Sequence, residues 1–240
     1  MFRFKQFSVL NSGSAFKVGT DAVLLGSAAT VLGTERRILD AGTGTGIIAL
    51  MIAQRLAATG LADFEICGID INAEGIEETT KNFASSPWAK HMKAKCLAIE
   101  ELDRDLTAEY ELIVSNPPYF ENSLLNPDER KRAARHTAEN GLSWRSLLDF
   151  ASRHLAQDGR LAMILPPAEA AEKARAATDS SLYLSRILNI KTSPSKPVTR
   201  VILEFSRKEG PLSEDTLIIQ EAGAYTPAYK TLTREFHIFL

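Results

Sequence analysis

The chain has 240 residues, 45% of them apolar and 24% charged, with a formal net charge of −2 at pH 7. That length and apolar content suffice for a full core as one α/β unit, and the near-balanced charge leaves any nucleic-acid contact to local basic patches. No apolar run approaches the ~18 residues of a membrane span, and Cys67 and Cys96 lack the spacing of a metal site, so neither membrane nor metal is expected.

The opening residues Met1-Phe2-Arg3-Phe4-Lys5 lack the apolar core of a secretion signal, which together with free cysteines points to a cytoplasmic protein. Residues 2–7 and 14–18 read as a small hairpin turning through Asn11-Ser12-Gly13. Thr20 or Asp21 suits the cap of a helix over 22–31.

Next comes Arg37-Ile38-Leu39-Asp40-Ala41, a short apolar strand, running into Gly42-Thr43-Gly44-Thr45-Gly46 and then an apolar helix over 45–58. Glycines at alternate positions let the backbone curl tightly and approach a ligand closely. A second strand, 64–70, ends on Asp70, about 20 residues past the glycines, where one strand–helix–strand unit places an acid against vicinal ribose hydroxyls. A dinucleotide site shares that outline, but its G-x-G-x-x-G needs a third glycine for close helix–sheet packing. Read from Gly42, that position is Ile47. The pattern here is D-x-G-x-G-x-G; Asp40 at the strand tip would repel a pyrophosphate and suits the ammonium of a methionine moiety. S-adenosylmethionine is therefore favoured over NAD as the ligand, with an NAD-dependent oxidoreductase as the remote alternative.

A helix over 73–85 and a strand over 92–98 follow, and both cysteines fall in predicted core strands, where a thiol behaves as a small buried hydrophobe. The strand 110–115 delivers Asn116-Pro117-Pro118-Tyr119. Two prolines fix φ near −65° and remove two N–H donors, so the segment meets a guest mainly with carbonyl oxygens. Asn116 Oδ1 and the Pro117 carbonyl each accept one hydrogen of a planar amine, and Tyr119 offers a face for stacking worth ~1–3 kcal/mol per base. The plain alternative is a Pro-Pro turn closing a strand, with Tyr119 and Phe120 as packing.

Residues 121–142 form a long polar stretch, expected to be a substrate-facing lid. Within it lie Arg130, Lys131, Arg132, Arg135 and His136; on a helix Arg132, Arg135 and His136 share a face. Beside the Asn-Pro-Pro-Tyr turn this cluster is assigned to substrate binding, while a second one, Lys191, Lys196 and Arg200, is read as solvated. His136 is assigned a phosphate contact or packing in preference to proton acceptance. Helices over 143–155 and 168–178 and a strand over 159–165 complete an alternating pattern, which means a mostly parallel doubly wound sheet. Strands over 182–190 and 199–206 close it as an antiparallel hairpin.

These motifs resemble the class I S-adenosylmethionine-dependent methyltransferases of the N6-adenine type, and more narrowly those that modify the adenine next to the anticodon of tRNA1(Val). The resemblance rests on Phe4-Lys5-Gln6-Phe7, Lys17-Val18-Gly19-Thr20-Asp21-Ala22-Val23-Leu24-Leu25-Gly26, Leu39 to Gly46, Ile69-Asp70-Ile71, Ser115 to Phe120 and Ala134-Arg135-His136-Thr137. Specific motifs cover residues 1–165, and the likeness continues more loosely through Leu232-Thr233-Arg234-Glu235-Phe236. It implies a Rossmann-like α/β fold with a seven-stranded sheet, a C-terminal antiparallel hairpin and a small N-terminal hairpin. Residues 1–33 would pack over the donor site and 34–240 would form the methyltransferase domain. The donor would be held by Thr20, Asp40, Gly42, Thr43, Gly44, Gly46, Asp70 and Ile71, with Asn116, Pro117, Pro118 and Tyr119 catalytic and the anticodon stem-loop of a tRNA as partner of a monomer. Family members often carry an acid at the end of the third strand; here none stands before Glu100, leaving the donor's adenine to backbone groups or to Glu100. The same Asn-Pro-Pro-Tyr turn serves enzymes that methylate a release-factor glutamine or rRNA and DNA amines, which stay as alternatives.

Overall fold

The computed structural model describes residues 1–11, 19–105, 109–117 and 142–237. Its frame is an eight-stranded sheet of β3 (Arg37–Ala41), β4 (Glu65–Asp70), β5 (Met92–Cys96), β6 (Tyr110–Ser115), β7 (Leu155–Leu165), β8 (Tyr183–Lys191), β9 (Val198–Ser206) and β10 (Ser213–Ile218). The order across it is β10-β8-β9-β7-β6-β3-β4-β5. β5, β4, β3, β6 and β7 run parallel, whereas β9 is antiparallel to both β7 and β8. The central strands are buried on both faces, which is why they read as unbroken apolar runs.

One face is covered by α1 (Thr20–Ala28) and α2 (Ile47–Ala58), the other by α4 (Ile99–Asp105), α5 (Trp144–His154) and α6 (Pro167–Asp179), each against its own apolar cluster. α3 (Ala73–Ala84) packs along β4 and β5. Close contact of α1 with α2 depends on Gly26, where an added Cβ would stand 2.7 Å from Met51 Sδ. Among the described residues no helix is long and apolar enough to cross a membrane.

Several expectations are corrected. The sheet has eight strands instead of seven, because β10 adds to β8 in parallel. Ser213 to Thr216 are exposed and only Leu217 is buried, so this edge strand has no apolar alternation to announce it. The N-terminal hairpin is tighter than expected: β1 (Phe2–Arg3) pairs with β2 (Ser8–Val9), closed by Phe4 N–H donating to Phe7 O at 2.9 Å and by stacked Phe4 and Phe7 rings. The expected second strand at 14–18 lies outside the described residues. α1 begins at Thr20 behind Gly19, without a side-chain cap.

β7 starts at Leu155, four residues early. Leu155 pairs with Tyr110, the register then slips, and Arg160 pairs with Leu112. Gly159 sits at the slip, where a Cβ would lie 2.7 Å from Tyr110 O, so glycine there permits the bulge. Cys67 is buried as expected, but Cys96 is exposed, since β5 is the edge of the sheet. Short elements after β10 escaped sequence reading: a hairpin of β11 (Gln220–Glu221) and β12 (Ala224–Tyr225), and α7 (Pro227–Thr233).

Candidate active site

Ligands of open α/β sheets settle at the carboxyl ends of the strands where chain order reverses. Here that place is between β3 and β6, and a cavity of about 860 Å³ opens there. Its size falls in the range of small-molecule sites, about 300–1,000 Å³.

The glycine turn forms one wall. Gly42, Gly44 and Gly46 have φ of 73°, 54° and 78°, the left-handed region that L side chains rarely occupy. The turn is laced to β4: Gly42 N–H and Thr43 N–H both donate to Ile69 O at 2.9 Å, and Gly44 N–H donates to Asp70 Oδ2 at 3.1 Å. From α3, the Thr79 hydroxyl donates to Gly44 O and Asn82 Nδ2 to Thr45 O. Gly68 completes the fit, because a Cβ there would stand 2.7 Å from Thr43 Oγ1.

Thr20, Gly42, Thr43, Gly44, Asp70 and Ile71 all line the cavity. Asp70 also accepts Asn72 N–H through Oδ1 at 2.9 Å, which orients its carboxylate while each oxygen retains acceptor capacity. Glu100 stands on the lining with Leu97, Ala98 and Ile99. The Leu97 amide donates to Asp70 O and the Ala98 amide to Glu101 Oε2.

Asp40 and Gly46 are not on the lining. Asp40 is fully buried; its Oδ2 accepts Thr43 Oγ1–H at 2.8 Å and Ala49 N–H at 3.2 Å. It pins the turn to the first residues of α2. Its Oδ1 is buried without a hydrogen-bond partner among the described residues. Burial pushes this carboxyl up to about 7, with the Asp70 charge adding and the two hydrogen bonds opposing. Gly46 likewise serves packing, since a Cβ there would meet Phe83 Cε1 at 2.5 Å.

From β6, Asn116 and Pro117 reach the same cavity. The end of that strand is tied to β3 by Ser115 Oγ–H donating to Ala41 O at 2.8 Å. Pro118, Tyr119, Arg130, Lys131, Arg132, Arg135 and His136 lie outside the described residues, as does most of the expected lid. Two further residues meet at the cavity: Arg200 from β9 donates through Nε to Asp21 Oδ2 at 2.7 Å, and both line it. The sequence reading set Arg200 among solvated cations and gave Asp21 only a capping role.

Comparison with known proteins places these features in context. A family model described as the methyltransferase small domain matches residues 10–179. A protein of Flavobacterium johnsoniae named tRNA1(Val) (adenine(37)-N6)-methyltransferase is 38% identical over 99% of both chains. One of the same name from Trichodesmium erythraeum is 39% identical over 99% of this chain and 97% of its own. A crystal structure from Agrobacterium tumefaciens, described as a predicted O-methyltransferase, superposes with a TM-score of 0.66 at 22% identity, covering 90% of this chain and 96% of that one.

Proposed function

The chain belongs to the methyltransferase small-domain family, and we propose that it methylates the exocyclic N6 amine of the adenine next to the anticodon of tRNA1(Val), using S-adenosylmethionine. The observation that carries this reading is a single cavity bordered on one side by the glycine turn and Asp70 and on the other by Asn116 and Pro117. Donor grip and amine acceptors open onto one space.

The residues present fit the donor. Asp70 offers carboxylate oxygens for a pair of ribose hydroxyls, Ile71 an apolar face beside it, and Thr20, Gly42, Thr43 and Gly44 a wall for the amino-acid end. Of the lining carboxylates, Asp70 and Glu100 suit a ligand carrying a sulfonium and an ammonium, while the charge of Asp21 is met by Arg200. Asp40 and Gly46 support this wall from behind. When bound, the donor supplies a methyl group already made electrophilic by its sulfonium.

The protein's part in the transfer is alignment and preorganised acceptors. Asn116 Oδ1 and the Pro117 carbonyl accept hydrogen bonds from the two amine hydrogens, freeing the nitrogen lone pair from conjugation with the ring; once methylated, that nitrogen is acidic and gives up one of its protons to solvent. Pro118 stiffens the segment, and Tyr119 stacks on the base. An anticodon-loop adenine is already close to unstacked, so presenting it costs less than flipping one from a duplex. Arg130, Lys131, Arg132, Arg135 and His136 supply phosphate contacts for the anticodon stem-loop. Residues 1–33 act as a hairpin-and-helix unit over the donor, an assignment supported by Gly19 to Ala22 on the cavity lining; residues 34–240 form the catalytic domain. The enzyme works as a monomer in the cytoplasm, where its tRNA is.

Incubation with methyl-labelled donor and separate pools of tRNA, rRNA, DNA and release factor tests the reading. Label is expected in tRNA as N6-methyladenosine; label confined to release factor or to DNA would overturn it.

A further inference from the structure

The cavity is lined along the carboxyl edge of the sheet, and its charges are not evenly spread. Asp70 stands at the end of β4, the glycine turn follows β3, and Asn116 with Pro117 follows β6. Beyond β6 come β7 and then β9, which is antiparallel and therefore brings its first residues, Val198 to Arg200, to this same edge. With strands ~4.8 Å apart, Arg200 stems from a strand about 10 Å past that of Asn116, on the side away from Asp70. Among the described lining residues, three are carboxylates and Arg200 is the one cation.

Arg200 is held deliberately. Its Nε donates to Asp21 Oδ2 and its Nη1 to Thr199 O, both at 2.7 Å. The ion pair is partly exposed, with side-chain accessibilities of 29% and 22%. A pair of that kind adds little to folding stability, so what it chiefly does is fix where the guanidinium sits. Of the donor's grips, Asp70, Ile71 and the glycine turn lie at β4 and β3 and Thr20 on α1, whereas Arg200 stems from β9, on the far side of Asn116 and Pro117 from Asp70.

We propose that Arg200, oriented by Asp21, binds a phosphate of the acceptor strand beside the target base. This rests on the methyl-transfer reading above and adds to it the residue by which the cavity itself recognises its acceptor as a nucleic acid. A guanidinium suits a phosphate through paired, charge-assisted N–H donors.

The test uses the full-length enzyme, an anticodon stem-loop RNA and methyl-labelled donor, with KM for RNA measured across a salt series. Separately, calorimetry with S-adenosylhomocysteine reads the donor site. Arg200→Gln is expected to raise the RNA KM by about 10–100-fold, the worth of one charge-assisted hydrogen-bonded contact. It should also make the log KM against log salt slope shallower by about 0.7, the share of one single-strand phosphate. S-adenosylhomocysteine affinity and melting temperature should stay at wild-type values. Arg200→Lys, which keeps the charge and tolerates any packing demand, should retain the wild-type slope with an intermediate KM. Loss of S-adenosylhomocysteine affinity with an unchanged RNA slope would assign Arg200 to the donor's carboxylate and overturn the proposal, as would an Arg200→Lys enzyme whose slope falls like that of Arg200→Gln. If wild-type enzyme labels RNA and Arg200→Gln matches it at every salt concentration, this inference alone fails. If wild-type enzyme labels a protein and no RNA, both fail together.

Discussion

Among the described residues Asp40 is the carboxyl whose proton burial holds most firmly, and its consequence for stability is measurable. It is fully buried and titrates at about 7, against an ordinary value of 3.8. An acid whose folded pKa is raised keeps its proton longer in the native state than in the unfolded chain. Its contribution is therefore most favourable below pH ~4 and is lost as pH rises toward ~7. A shift of about 3 units at 1.36 kcal/mol each sets a ceiling of roughly 4 kcal/mol on that loss, and relaxation around the ionised group lowers it to a few kcal/mol. Asp40→Asn removes the titration. The amide oxygen still accepts from Thr43 Oγ1 or Ala49 N–H, and no charge is buried. Urea denaturation of wild type and Asp40→Asn at intervals from pH 5 to 8.5 reads the difference directly, with other titrating groups cancelling between the two. The wild type is expected to lose stability relative to Asp40→Asn as pH rises, until the curves run parallel above about pH 8. A difference that stays constant across the range would refute the argument that burial holds the proton.

The remaining predictions concern the donor wall. Gly68→Ala places a Cβ 2.7 Å from Thr43 Oγ1 and so pushes the glycine turn off β4. It should weaken S-adenosylhomocysteine binding by about tenfold or more and cost about 1–3 kcal/mol in urea denaturation; wild-type affinity in calorimetry would show the turn to be more compliant than its contacts suggest. Asp70→Asn loses a charged acceptor that serves both Gly44 N–H and Asn72 N–H and, in the proposed complex, the ribose hydroxyls. Its donor affinity should fall by about 10–100-fold, and an unchanged dissociation constant would remove Asp70 from the donor site.

What was legible in the sequence was local. β3 and β6 have the bounds that their apolar runs predict, because strands buried on both faces leave no doubt about where they start and stop. The left-handed turn at Gly42, Gly44 and Gly46 could be read because few other residues adopt that φ. Where the reading fell short, the cause was a contact distant in the chain. Cys96 lies in a strand of ordinary composition, and only the order of strands makes β5 an edge and the thiol exposed. The start of β7 at Leu155 follows from a bulge against Tyr110 that no run of residues signals. Asp40 is the exception: its partners, the Thr43 hydroxyl and the Ala49 amide, are close in the chain, and its inward direction was missed because the strand tip was read as facing a ligand. Arg200 meets Asp21 across 179 positions and was invisible for that reason.

Asn116→Ala tests the central claim most directly. Single-turnover transfer from methyl-labelled donor to anticodon stem-loop RNA is compared with S-adenosylhomocysteine affinity in the same preparation. Loss of an acceptor used mainly as the amine reacts should slow transfer by about 100–1,000-fold while leaving donor affinity within about twofold. Transfer near the wild-type rate, or a slowing matched by an equal loss of donor binding, would contradict the role assigned to Asn116.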